Sequence, residues 1–253
     1  MIRAPLRVPI DHLAPGDRSL PDEAATYVAR VHRLGAGDHL LLFDPDRAIE
    51  ADAEILSVDK RAVKARVSEP RPARRAGRAV TLVQGVGKGD KLDAIVRDAT
   101  ELGATLIMPA LCERSVARPD AARAARWRRI AVEAARQCGR GDAPVVMPPT
   151  PFIDALGLAA ADLRLCLDPR AGRTLGQALA TITPGASVAL LVGPEGGLSE
   201  REIAATEAAG IARVSLGPWV LRTETVCAAV LGALLAHTPL DRADPASGSR
   251  PAP

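Results

Sequence analysis

Aromatic residues are nearly missing from this chain: two Trp, one Tyr and two Phe make up 2% of its 253 residues. Its core must therefore be filled by Ala, Val, Leu and Ile, and 47% hydrophobic residues suffice for a substantial one. Cysteine is sparse as well. Cys112, Cys138, Cys166 and Cys227 are widely spaced with no Cys-x-x-Cys pair, which points away from a zinc site or a disulfide framework. Free thiols fit a reducing compartment, so a cytoplasmic protein is expected. Only four histidines occur (His12, His32, His39, His237), and there is no H-E-x-x-H and no G-x-S-x-G, so zinc-protease and serine-hydrolase readings fail and no metal is expected. No apolar stretch reaches the roughly 18–20 residues of a membrane span. Met1–Ile10 lacks the apolar core of a signal peptide. Lysine is confined to Lys60, Lys64, Lys88 and Lys91, leaving arginine to supply the remaining positive charge. A net charge of +3 does not by itself establish a nucleic-acid partner. Arginine forks onto phosphate, but an Arg- and Ala-rich composition also follows from genome base composition.

The length suits one large domain or two. Up to about Pro70 the chain reads as a small β-rich unit. Ile49, Ala51, Ala53 and Ile55 alternate with Glu50, Asp52 and Glu54, the period of a half-buried strand, and Val63–Val67 repeats it. Leu40–Phe43 is a preceding strand, Asp44-Pro45-Asp46 a turn, and a helix falls between Pro21 and Arg33. Glu69–Gly77 is a Pro- and Arg-rich connector that marks a boundary. Strands and helices then alternate: Ala79–Gln84, helix Lys91–Leu102, Thr105–Pro109, helix Ala121–Gln137 and strand Leu163–Leu167. That alternation predicts an α/β domain on a largely parallel sheet. Residues 241–253 read as a disordered tail.

The chemistry concentrates between Ser187 and Ala236. An apolar run ends in Gly193-Pro194-Glu195-Gly196-Gly197, and a second ends in Gly217-Pro218-Trp219-Val220-Leu221-Arg222. Each turn opens into a helix, and α/β sheets bind ligands at such strand ends. The glycines either serve tight turns or let a ligand approach the backbone. The two turns are expected at neighbouring strand ends. Ser199 and Glu202 form a capping box, and Thr223 is a natural N-cap for the last helix. Arg222 and Glu224 adjoin the expected pocket, where a cation and a carboxylate can stabilise charge and abstract a proton. Gly85-Val86-Gly87-Lys88-Gly89-Asp90 fits neither a dinucleotide fingerprint nor a Walker loop and reads as a turn. Arg118, Arg123, Arg126, Arg128, Arg129, Arg136 and Arg140 crowd one segment, either as solvated helix faces or as a track for a phosphate backbone.

Several segments together resemble a known family. They are Lys88–Lys91 through Thr100–Gly103, Glu113–Val116, Arg126-Trp127 through Gln137–Arg140, Leu191–Ile203 and Leu216–Thr225, with Val31–Arg33, Gly37-Asp38 and Phe43-Asp44 upstream. The chain resembles the RsmE-type bacterial 16S rRNA uridine N3-methyltransferases of the SPOUT class. The resemblance implies an α/β fold: a C-terminal trefoil-knotted SPOUT domain with a parallel sheet (residues 79–240), a PUA-like β-barrel before it (residues 1–72), and a linker (residues 73–78). It implies S-adenosylmethionine (SAM) as cofactor, 16S rRNA in the 30S subunit as partner, and a homodimer. Carried onto this sequence, the cofactor loops are Leu167, Gly193, Pro194, Glu195, Gly196, Gly197, Leu216, Gly217, Val220 and Leu221. The catalytic candidates are Arg222, Glu224 and Glu195, and the RNA contacts are Arg30, Arg33, Arg114 and Arg140. One position departs: Trp219 stands where the family usually has Arg. Methylation of another RNA site or a ribose 2′-oxygen, and a non-catalytic RNA-binding assembly factor, are the competing readings.

Overall fold

The computed structural model describes residues 5–59 and 62–237. The expected C-terminal tail lies outside them. The first unit comprises β1 (Leu6–Pro9), β2 (Gly16–Ser19), α1 (Asp22–Thr26), β3 (His39–Asp44), β4 (Ile49–Val58), β5 (Val63–Val67) and β6 (Arg71–Pro72); α1 runs on into a π turn, Tyr27–Val31. The strands form one sheet in the order β1-β3-β4-β5-β2, with β6 added to β4. Its core is aliphatic, built from residues such as Val8, Leu13, Val28, Leu42, Ile55 and Ala65. The period-two expectation for β4 fails at one position. Glu50 is buried rather than solvated, because its carboxylate pairs with Arg7 at 3.1 Å and Arg71 at 3.4 Å. β1 and β2 were not expected: four residues each carry too little pattern to stand out.

The second unit follows as β7 (Val80–Gly85), α2 (Lys91–Glu101), β8 (Leu106–Leu111), α3 (Ala121–Cys138), β9 (Val145–Val146), β10 (Thr150–Pro151), α4 (Phe152–Leu158), β11 (Leu163–Leu167), α5 (Leu175–Leu179), β12 (Val188–Val192), α6 (Glu200–Ala208), β13 (Ala212–Val214) and α7 (Thr223–Ala236). The sheet order is β10-β8-β7-β12-β11-β13, with every pair parallel. Helices cover both faces, so the central strands are continuous apolar runs; all five residues of β12 are buried. On α2, Leu92, Ile95, Val96 and Ala99 recur at helical spacing and all are buried. Trp127 of α3 is 1% exposed, and its indole N–H donates to Asp93 at 2.9 Å, which locks α3 onto α2. Asp120 caps the start of α3, and Gly139 ends it in the left-handed conformation at φ 82°.

One expectation is corrected here. The turns after β12 and β13 are not at neighbouring strands, because β11 lies between them. The arginines around α3, open between solvated faces and a phosphate track, make intramolecular ion pairs, several of them on exposed helix surface. Arg123 pairs with Asp90, Arg126 with Asp93, Arg128 with Asp46 and Arg136 with Glu133, while Arg136 also stacks over the Tyr27 ring. Two of those contacts, Arg128 with Asp46 and Arg136 with Tyr27, join α3 to the first unit, and the Arg7 guanidinium donating to the Arg140 carbonyl at 3.1 Å ties the loop after α3 to it. No helix among the described residues is long and apolar enough to cross a membrane.

Candidate active site

Three loops converge at the carboxyl ends of the central strands. The turn after β12 is closed by the Gly197 amide donating to the Pro194 carbonyl at 2.8 Å, with Gly197 at φ +70°. The loop after β7 packs beneath it so closely that a Cβ on Gly85 would lie 2.4 Å from the Pro194 nitrogen. A Cβ on Gly87 would lie 2.6 Å from the Glu195 carboxylate oxygens. The segment expected only to turn the chain therefore also forms the floor under Glu195. From the third side, after β8, Arg114 donates to the Gly196 carbonyl at 3.0 Å. Glu202, 1% exposed, makes the expected capping box with Ser199 and also accepts the Glu113 amide at 2.8 Å, tying that loop to α6.

The turn after β13 is different in kind. Gly217 adopts φ +81°, and Trp219 and Val220 beyond it are 74% and 85% exposed. The chain then enters α7, whose N-cap is Arg222 with no side-chain capping bond. Thr223, expected as the cap, is the first helical residue. Its hydroxyl donates to the Gly193 carbonyl at 3.0 Å and accepts from the Gln84 amide at 2.9 Å, stitching α7 to both β7 and the turn after β12.

Between the two turns lies a cavity of about 560 Å³, well inside the size range of small-molecule sites. Leu167, Gly193, Pro194, Glu195, Gly197, Leu216, Val220, Leu221 and Arg222 all line it. Gly196 and Gly217 stand behind the lining: Gly196 backs onto Arg114, and Gly217 supplies the left-handed bend. The inner wall is apolar, formed by Val192, Leu198 and Ile203, each no more than 7% exposed.

Sequence reasoning missed four charged members of the lining, Lys91, Asp168, Arg170 and Glu200. Lys91, the first residue of α2, places its Nζ 2.9 Å from Glu195 Oε1 and 3.9 Å from Glu224 Oε2. One ammonium thus serves both candidate carboxylates. Burial alone would raise the Glu195 carboxyl, but the hydrogen bonds from Lys91 and the Lys88 amide prevail and hold it below the usual carboxylate range. Glu224 Oε2 is buried with no hydrogen-bond partner among the described residues, which leaves it able to accept a proton or a donor. The second omission, Asp168, follows β11 and is 5% exposed; its carboxylate accepts from the Arg170 amide at 2.9 Å and from Arg213 at 2.7 Å. Both contacts are non-local or depend on a strand end, and no short motif encodes them.

The four expected RNA contacts separate. Arg114 is exposed at the cavity, whereas Arg30 and Arg33 lie exposed on the first unit. Arg140 is corrected: it is 7% exposed, with its guanidinium bound to the Thr100 and Ala104 carbonyls and to Asp142. It holds the end of α2 to the loop after α3, and burial keeps it from a polyanion. Burial also pushes the thiols of Cys112, Cys166 and Cys227 up to about 12, so none is a nucleophile at neutral pH. Among the described residues no cluster of three or more His, Cys, Asp or Glu side chains is arranged to hold a metal.

Known proteins are similar to this chain along most of its length. The RNA methyltransferase domain family matches residues 74–235, and the RNA methyltransferase PUA domain family matches residues 20–68. The ribosomal RNA small subunit methyltransferase E of Bacillus subtilis is 34% identical over 89% of this chain and 92% of its own length. The protein of the same name from Synechocystis is 34% identical over 83% of this chain and 70% of its own. The crystal structure of a ribosomal RNA small subunit methyltransferase E from Neisseria gonorrhoeae, bound to S-adenosyl methionine, superposes with a TM-score of 0.84 at 28% identity, covering 92% of this chain and 98% of that one. With a cavity walled by strand-end turns and likeness along nearly its whole length, the chain belongs to the ribosomal RNA small subunit methyltransferase E family of RNA methyltransferases.

Proposed function

We propose that this chain is the SAM-dependent methyltransferase that modifies N3 of one uridine in 16S rRNA of the small ribosomal subunit. The observation that carries it is the cavity between the two turns, with Glu195 and Lys91 on its lining and Glu224, next to the lining residue Thr223 but not itself on the lining, 3.9 Å from the same ammonium. The residues present fit the cofactor. Val192, Leu198 and Ile203 offer an apolar wall for a flat ring system, the turns offer backbone polar groups, and carboxylates on the lining suit a cationic ligand. When bound, SAM supplies an electrophilic methyl group, so the protein's tasks are alignment and proton removal.

Uracil N3 carries a proton at neutral pH, and its lone pair becomes nucleophilic only as that proton leaves. Glu224 is the base in this reading, because its Oε2 is buried and has no competing hydrogen bond. The proton passes from N3 to this oxygen, while Arg222 on the cavity lining stabilises charge that develops on the uracil oxygens. Glu195 is held by Lys91 and the Lys88 amide, so it positions rather than abstracts. Arg114 at the cavity and Arg30 and Arg33 on the first unit grip the RNA backbone.

The domain assignment follows the same reading: residues 1–72 are an RNA-gripping PUA-like barrel, residues 73–78 a linker, and residues 79–240 the catalytic domain. A trefoil knot is supported by the return of the chain from edge strand β13 to mid-sheet, where Thr223 is held between Gln84 and Gly193. A homodimer is supported by α7, which carries one charged residue in fourteen yet leaves Leu235 46% exposed; a helix apolar on all sides is normally covered on all sides. An enzyme acting on 16S rRNA works in the cytoplasm.

The test is mass mapping of 16S rRNA from small subunits incubated with the protein and SAM. Transfer to uracil N3 is expected; a ribose 2′-O-methyl product would redirect the chemistry, and no SAM binding by calorimetry would favour a non-catalytic assembly factor. Glu224→Gln should lower transfer about 10²–10⁴-fold, the usual range for a lost general base, with SAM affinity unchanged. A near wild-type rate in that variant would remove Glu224 from the role.

A further inference from the structure

We infer that Trp219 is the platform on which the target uracil stacks, an assignment that rests on the methyltransferase reading above. The other aromatic side chains behave as structural residues. Trp127, Phe43 and Phe152 are at most 2% exposed, and Tyr27 is half-buried under Arg136. Trp219 alone among them is turned outward, at 74% exposure, and it does so on the lining of the cavity. Its position is set by the chain: Gly217 at φ +81° bends the turn, and Arg222, three residues after Trp219, is the N-cap of α7.

Depth within the cavity separates the two ligands. The inner wall of Val192, Leu198 and Ile203 is nearly fully buried and can cover the cofactor's ring without help from the rim. Trp219 belongs to the exposed rim, where Arg114, Arg170 and Arg222 supply cations beside the carboxylates of Glu195 and Glu200. A base that undergoes chemistry at a ring nitrogen has to leave its stack first, and an exposed indole face replaces the lost stacking partner. The same rim supplies what a flipped uridine needs next: a guanidinium for its oxygens from Arg222 and a cation for its phosphate from Arg114. Stacking does not distinguish among bases, so Trp219 would supply affinity and orientation, leaving the choice of uridine to hydrogen bonds and RNA shape.

The test compares wild type, Trp219→Ala and Trp219→Phe on 30S subunits from cells lacking the enzyme. Trp219→Ala should raise KM for the subunit and lower kcat/KM by about 5- to 150-fold, the effect of losing one base–aromatic stack. Trp219→Phe should recover most of that loss. The SAM dissociation constant and the solution mass should not move in either variant. A parallel loss of SAM affinity would make Trp219 a cofactor wall, a change of mass would make it a subunit contact, and unchanged kinetics would make it idle surface; each overturns the inference. Absence of transfer by the wild-type protein would instead overturn the methyltransferase reading itself.

Discussion

The two turns that enclose the cavity open on the same Gly-Pro pair and have opposite physical characters. The turn after β12 is packed from three sides, by the loop after β7, by Arg114 and by Leu198. The turn after β13 meets little: a Cβ on Gly217 would find nothing within 4 Å, and Trp219 and Val220 project into solvent. One Gly-Pro pair is therefore a preformed wall, fixed before any ligand arrives. The other is a rim whose shape is left to the chain's own backbone and to what binds there. Site precision comes from the first, and adaptability to a large RNA substrate from the second.

The largest expected effect tests that contrast directly. Gly85→Ala places a methyl against the Pro194 backbone at 2.4 Å, where no flexible side chain can yield. The turn must shift, and a displacement of about 1 Å at a reactive site costs roughly 100-fold in rate. Gly217→Ala meets no neighbour and carries only the strain of a left-handed backbone, about 1–2 kcal/mol. Its methyl-transfer rate should stay within a few-fold of wild type while the melting temperature falls. Paired measurement of SAM affinity, rate and melting curve checks both, and equal loss of SAM binding in the two variants would abolish the distinction between wall and rim.

Much of this architecture was legible from sequence because parallel strands covered on both faces must be continuous apolar runs. β11 was expected at its observed bounds, and β7, β8, β12, α2 and α3 were expected within two residues of theirs. The capping box at Ser199 and Glu202 was legible because its chemistry is local. What escaped is either short or non-local. α4 and α5 are too brief to show a period. Lys91 meets Glu195 only after β7 and β12 pair, and Gly85 looks like any turn glycine until Pro194 is laid against it. Arg140 carried the opposite lesson: a cation in an Arg-rich segment looked like an RNA contact, and two buried carbonyls claimed it instead.

An intermediate effect is expected where wall and rim are joined. Thr223 bonds to Gly193 on the packed turn and begins the helix that leaves the open one. Thr223→Val keeps the shape and removes both hydrogen bonds, leaving the Gln84 amide and the Gly193 carbonyl short of a partner. Unsatisfied buried groups of this kind cost about 1–3 kcal/mol each. Weakening of SAM binding by roughly tenfold, equivalent to 1.4 kcal/mol, is expected by calorimetry. If stability falls while SAM affinity holds, the two turns are independent and the wall alone defines the cofactor site.

The smallest effect concerns the strand end between the turns. Asp168 joins β11 to β13 through Arg213 and holds Arg170 at the cavity lining. Burial pushes its carboxyl up, but the hydrogen bonds from Arg170 and Arg213 pull further in the other direction, so it titrates below the ordinary aspartate value of about 3.9. A carboxylate depressed in the folded state stabilises the fold fully above its unfolded pKa, and that contribution disappears as pH falls through the folded one. The wild-type protein should therefore lose stability below about pH 4, and Asp168→Asn should flatten that part of the acid limb while lowering stability at neutral pH. The change at neutral pH should be at most a few degrees in melting temperature, roughly 1 kcal/mol at this chain length. Melting curves from pH 3 to 7, about one unit apart, are the measurement. An acid limb identical in the two proteins would mean that β13, and the open turn it carries, is held to the sheet by backbone pairing with β11 rather than by this carboxylate.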